Sequence, residues 1–180
     1  MRRSGALNGS DLTFAAAIAA GVFCASAAFA DTPKSTVPPA AVAIEVTGVD
    51  GKRATLDVAA LGKLPQHTVH AEAHGKSLTC TGPTLIDVVD PSATASGDKL
   101  RRKNLALYVR ASAADGYRAV FSFAELDPGL GGTDAPIVSA SCDGHALDPK
   151  DGPLRIVAPR DKRPARWVRQ LTALDVLGGS

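Results

Sequence analysis

The sequence predicts an α+β domain, mostly β, built as a mixed-sheet or barrel-like unit with short helices. Three observations carry this. Short runs rich in β-formers recur along the chain, and glycine turns at Asp50-Gly51, His74-Gly75, Asp115-Gly116 and Asp143-Gly144 separate them. The helical stretches are only one or two turns long. No strand–long helix–strand pattern supports a parallel doubly wound sheet.

The 180 residues divide into three parts. Residues 1–30 carry Arg2 and Arg3, an alanine-rich apolar run from Leu12 to Ala27, and the small-x-small triplet Ala28-Phe29-Ala30. This is the pattern of an export signal cut after Ala30, and the run is too short for comfortable membrane spanning. Cys24 follows Phe23 where lipoprotein processing needs a small residue, which argues against a lipid anchor. Residues 31–41 are rich in Pro, Ser and Thr and read as a flexible leader. Residues 42–178 form the single domain. The expected location is the periplasm, with no membrane span after cleavage.

In the domain, Val42–Thr47 and Arg53–Val58 form a hairpin, and Asp57 caps a short helix that ends at Gly62. Gln66–Ala73 and Lys76–Thr81 form a second hairpin. Pro83 opens a helix over Thr84–Asp90, at or near the first position where its missing N–H costs nothing. Pro91–Gly97 reads as a loop and Lys99–Lys103 as a solvated charged turn. Leu105–Ala111 and Tyr117–Phe123 form a third hairpin, followed by a helical turn ending near Leu126 and a glycine-rich loop over Pro128–Asp134. Ile137–Ser141 and Leu154–Ala158 are strands, Trp167–Leu171 a helical turn, and Thr172–Leu177 the last strand.

Net charge is +2, and about +1 once Arg2, Arg3 and Asp11 leave with the signal, which gives no general reason to bind nucleic acid. Eight aromatics in the chain are too few for a base-stacking surface. No Gly-x-Ser-x-Gly elbow or Cys-x-x-Cys pair occurs, and no catalytic residue stands out. His67, His70 and His74 would share a face on a helix and could hold Zn or Cu. On a strand only His70 and His74 share one, no fourth ligand is evident, and ordinary polar strand residues are the expectation. Export leaves Cys80 and Cys142, which either bridge in an oxidising compartment or remain separate buried thiols.

The stretch from Asp151 to Trp167 concentrates positive charge. Arg160, Lys162, Arg163 and Arg166 stand against Asp161 alone between a strand end and the single tryptophan, Trp167. The run reads either as a solvated basic loop or as an anion site, since arginine forks suit phosphate.

An ordered series of short motifs resembles the molybdopterin-binding domain of the sulfite oxidase family, in its short, exported, stand-alone form. The motifs are Leu64-Pro65, Gly82-Pro83-Thr84-Leu85-Ile86-Asp87-Val88-Val89, Ala114-Asp115-Gly116-Tyr117, Glu125-Leu126-Asp127-Pro128, Gly152-Pro153-Leu154-Arg155-Ile156-Val157-Ala158-Pro159 and Arg166-Trp167-Val168. They span Ala43 to Leu177. The resemblance implies that fold and a molybdopterin held through Arg155, Arg163, Pro164, Ala165 and Arg166. Any activity it implies is that of a molybdopterin-dependent oxidoreductase, with a periplasmic protein as partner. Two departures stand out. The family's molybdenum-ligating cysteine falls on Ala73, which has no thiolate, and its His or Asn before the Pro-Leu-Arg run falls on Lys150 or Asp151. Three readings follow: a periplasmic domain of the molybdopterin-dependent oxidoreductase type that still binds a pterin cofactor, with redox activity atypical or dependent on a partner, a cofactor-free binding or sensory module on the same fold, and a histidine metal site.

Overall fold

The computed structural model describes residues 42–89 and 105–178. The expected signal over residues 1–30, the expected leader over 31–41, the expected loop at Pro91–Gly97 and the expected charged turn at Lys99–Lys103 lie outside them. The described chain is α+β, as the sequence predicts, and its sheets do not close into a barrel.

The larger sheet has five strands: β1 (Ala43–Thr47), β2 (Arg53–Asp57), β5 (Leu107–Ala113), β6 (Arg118–Ser122) and β11 (Leu171–Gly178), in the order β2-β1-β11-β5-β6. All neighbours are antiparallel except β1 beside β11, a pairing that joins the two ends of the domain. Alternation turns one face of this sheet inward: Ile44 and Val46, Val109 and Ala111, Ala119 and Phe121 are buried. In β11 the buried residues are Leu171, Leu174 and Val176, a spacing that strict alternation forbids. A bulge between Leu171 and Ala173 absorbs the odd residue and restores the phase.

The second sheet contains β3 (His67–Ala73), β4 (Lys76–Gly82), β8 (Ser141–Cys142) and β9 (His145–Ala146) in that order, and β7 (Ile137–Ser139) pairs separately with β10 (Arg155–Val157). The expected strand over Ile137–Ser141 is therefore two strands serving two sheets. The Ser139 hydroxyl marks the break, its one hydrogen shared between the Thr81 and Ser141 carbonyls at 2.8 and 2.6 Å. Gly82 lets β4 meet β7, because a Cβ there would stand 2.0 Å from the Val138 carbonyl oxygen.

The helices are short. Asp57 caps α1 (Val58–Leu61) by accepting from the Ala60 N–H at 2.7 Å, as its sequence implies. α2 (Leu85–Val89) starts after Thr84, whose hydroxyl accepts from the Asp87 N–H, so Pro83 stands just before the helix; Leu85, Ile86, Val88 and Val89 are buried. A capping box of Ser122 and Glu125 starts α3 (Phe123–Leu126). The expected loop at Pro128 begins instead with a helical turn, α4 (Pro128–Gly131). Asp127 caps it and Pro128 presets its first dihedral, which outweighs the helix-breaking glycines. α1, α2 and α3 share one apolar core with the sheets, whereas α4 buries no residue.

Cys80 faces Cys142 across the β4–β8 register, and the two form a disulfide with a Cα–Cα distance of 4.1 Å. Of the two fates open to these cysteines in the sequence, the bridge is the one adopted.

Candidate functional site

The segment from β10 to β11 is the basic loop, and backbone bonds close it like a stirrup. The Ile156 N–H donates to the Val168 carbonyl at 2.9 Å, and the Leu171 N–H to Leu154 at 2.9 Å. The buried Trp167 indole N–H donates to Ala158 at 2.9 Å. The expected helical turn at Trp167–Leu171 is displaced to a 3-10 turn over Pro164–Arg166, where proline fixes the first dihedral while Val168 is drawn into strand-like pairing.

Beneath this loop lies an open cleft of about 1450 Å³. One wall is the loop itself, from Pro159 to Ala165. The opposite wall is the β3–β4 hairpin end, Glu72 to Lys76 with Leu78, and Ala113, Asp115 and Tyr117 supply the third side. The Tyr117 hydroxyl donates to the Ala165 carbonyl and ties that side to the loop. Six cationic side chains and four carboxylates line the cleft. Among the described residues, Lys76, Arg160, Lys162 and Arg163 have neither an ion-pair partner nor a side-chain hydrogen bond. Their charge faces solvent and whatever enters it.

The sequence-named residues separate into two groups. Arg155, Arg163, Pro164 and Ala165 all line the cleft. Arg166 does not. Its Nε and Nη2 bind Asp161 at 3.1 and 2.6 Å, its Nη1 binds Glu125 at 3.0 Å, and its guanidinium lies 4.8 Å from the Phe121 ring centre. Those contacts pin the loop to β6 and α3. The Asp161 hydrogen bond raises the Arg166 pKa above its ordinary value, with burial opposing and Glu125 reinforcing the shift.

Arg155 sits at the floor, 6 % exposed. Its Nη1 donates to Asp151 at 2.9 Å, its guanidinium lies 5.3 Å from the Trp167 ring centre, and its Nε has no acceptor. Burial pushes its pKa down, Asp151 opposes that, and Arg169 adds to it. Lys76, Arg169 and Tyr117 also line the cleft and are missing from the sequence-based set. Lys76 directly follows the His74-Gly75 turn, but only three-dimensional pairing brings that hairpin opposite the basic loop.

No protein-family model matches the sequence, and no curated protein matches it. Among solved structures the chain is similar to the sulfane dehydrogenase SoxCD from Paracoccus pantotrophus, with a TM-score of 0.56 and 16 % identity. The match covers 75 % of this chain and 38 % of that one, so this chain spans about two fifths of its length. The likeness is one of fold.

Within that fold, the residues fit one half of a molybdopterin and not the other. The unpartnered cations and the 1450 Å³ of space suit a phosphate-bearing, ring-sized anion. Among the described residues, the metal half has no thiolate ligand. Ala73 lines the cleft where the resemblance places a thiolate, and Cys80 and Cys142 are consumed in their disulfide. The histidines do not substitute. His70 binds the Thr79 hydroxyl, His67 lies 3.7 Å from Asp87, and no three potential ligands converge among the described residues.

Proposed function

We propose that this chain is a periplasmic binding domain on a molybdopterin-enzyme fold, taking a phosphate-bearing pterin in the cleft without supplying a thiolate to a metal. The observation that carries this is the pairing of four unpartnered cations with a cleft wall that ends in Ala73. Cations on two walls grip the phosphate, and the cleft's width leaves room for the fused rings beside Tyr117. In the family that the sequence resembles, a soft thiolate from the protein normally completes the molybdenum shell. Its loss undercuts oxo-transfer chemistry, so a redox role would be atypical or need a partner protein. Export is supported by the leader pattern of residues 1–30 and by the disulfide, a bond that persists in oxidising compartments.

The test is to produce the full chain in a host that makes the molybdenum cofactor, recover it from the periplasm, and assay pterin and molybdenum per chain. Stoichiometric pterin with molybdenum far below it is the expected result. Molybdenum at one per chain, held through protein sulfur, overturns the reading. A second reading, a cofactor-free sensory or binding module, is favoured by the same missing thiolate. Its signature is neither pterin nor molybdenum, together with no binding of a phosphorylated pterin in titration, and that result also overturns the first reading.

A further inference from the structure

The buried Arg155 of the cleft already has an anion beside it, and that anion belongs to the chain. Asp151 Oδ2 accepts from Arg155 Nη1 at 2.9 Å, and its Oδ1 stands 3.7 Å from Arg169 Nη1. The backbone fixes this carboxylate in place: the Gln170 N–H donates to the Asp151 carbonyl at 3.0 Å, and the Asp151 N–H donates to Asp148 at 2.8 Å. Among the described residues, Arg155 is a buried cation whose only anionic partner is Asp151, and its Nε has no acceptor. Arg169 is the opposite case, an exposed side chain free to turn toward solvent. A carboxylate between one fixed and one mobile guanidinium occupies the position that a small oxyanion would otherwise take.

We propose that Asp151 fills an oxyanion subsite built by Arg155 and Arg169, and thereby sets the charge that the cleft accepts. The proposal rests on reading the cleft as an anion site. With the floor neutralised from within, an incoming phosphate is repelled from Arg155 by a carboxylate at contact distance. It is held instead at the rim by Arg160, Lys162, Arg163 and Lys76. Arg155 thus acts as a positioning residue that supports Trp167, and Asp151 determines specificity. Removing the carboxylate leaves a buried cation uncompensated, and a small oxyanion able to enter would restore the balance.

The experiment compares the full-length wild type with Asp151→Ser, which vacates the subsite, and Asp151→Glu, which keeps a carboxylate. Thermal melts are recorded in chloride, acetate and phosphate at equal ionic strength, and inorganic phosphate is titrated by calorimetry. Asp151→Ser should melt lower in chloride, recover in acetate or phosphate, and bind phosphate at least about tenfold more tightly than wild type, because one like charge at close range is worth more than that factor. Asp151→Glu should show no rescue. An equal response of wild type and Asp151→Ser to phosphate overturns the proposal. If the serine variant does not fold, the nearly isosteric Asp151→Asn gives the same comparison. Titrating wild type with a phosphorylated pterin in parallel separates the two ideas. Pterin binding without anion rescue sinks only the subsite, whereas rescue without pterin binding sinks the functional reading.

Discussion

Replacing Arg166 by alanine separates the two roles that a basic loop can play. Arg166 makes two ion pairs, to Asp161 at 2.6 Å and to Glu125 at 3.0 Å, and stacks over Phe121 at 4.8 Å. Its side chain is 36 % exposed, so solvent screens the pairs. Each is then worth roughly 0.5–1 kcal/mol, the upper part of the exposed range. The stacking adds about 0.5–1 kcal/mol. Together the loss is about 2 kcal/mol, a fall in Tm of roughly 6–10 °C for a domain of this size. Phosphate affinity should change by less than about threefold, because Arg166 does not line the cleft and its donors are already taken by Asp161 and Glu125. The comparison is the triple variant Arg160→Ala, Lys162→Ala, Arg163→Ala. Those side chains have no partners, so the melt should move little, while affinity falls at least about tenfold if each contributes ~0.5–1 kcal/mol. Differential scanning fluorimetry and calorimetric titration read both quantities on the same samples. An Arg166→Ala protein that melts normally but loses the ligand would refute the division of labour.

Three further outcomes follow from local geometry. The disulfide closes a separation of 62 residues and stabilises by restricting the unfolded chain, so the double variant Cys80→Ala, Cys142→Ala should lose about 4 kcal/mol in urea unfolding; a loss under ~1 kcal/mol would contradict that origin. Gly82→Ala puts a Cβ 2.0 Å from the Val138 carbonyl oxygen and should cost roughly 3 kcal/mol or more, whereas Gly75→Ala meets only its positive φ and should cost about 1 kcal/mol; equal urea midpoints would show that β4 and β7 can separate freely. Ala73→Cys places a thiol in the cleft wall, so alkylation followed by mass spectrometry should label it and bound phosphate-bearing ligand should slow the labelling; identical rates with and without ligand would place the ligand elsewhere.

What the sequence makes legible here is what short-range chemistry determines. The hairpin turns follow from glycines at positive φ in Gly51, Gly75 and Gly116, and α3 follows from the Ser122–Glu125 box. The one-turn helix at Pro128 escapes notice because two glycines in four residues outweigh an aspartate cap in any propensity sum, yet the cap decides locally. β8 and β9, two residues each, carry no periodicity and exist only because β4 offers an edge. The parallel contact of β1 with β11 joins residues more than a hundred positions apart, and no local pattern encodes it. The same limit governs the site. Clustered charge identifies the basic loop, but direction decides which cations serve a ligand, and direction comes from packing. Arg163 and Arg166 look equivalent in sequence, yet one is free and the other is clasped by two carboxylates.

The disulfide and the alanine at position 73 are best understood together. Cys80 sits in β4 and Ala73 ends β3, so both belong to the one hairpin that forms the cleft's far wall. Disulfides exchange by attack of a thiolate. A free thiol at position 73, on the hairpin that carries Cys80, would give the bridge an intramolecular competitor during oxidative folding. With alanine there, the described residues contain no third cysteine, and the bridge can form without one. The covalent link from β4 to β8 then holds the hairpin and fixes Glu72 and Lys76 opposite the basic loop. The far wall thus carries a brace and, among the described residues, no free thiol. A braced wall carrying one unpartnered lysine, facing a loop with three more cations, is suited to hold an anion in a fixed place and contributes no soft ligand to a metal centre.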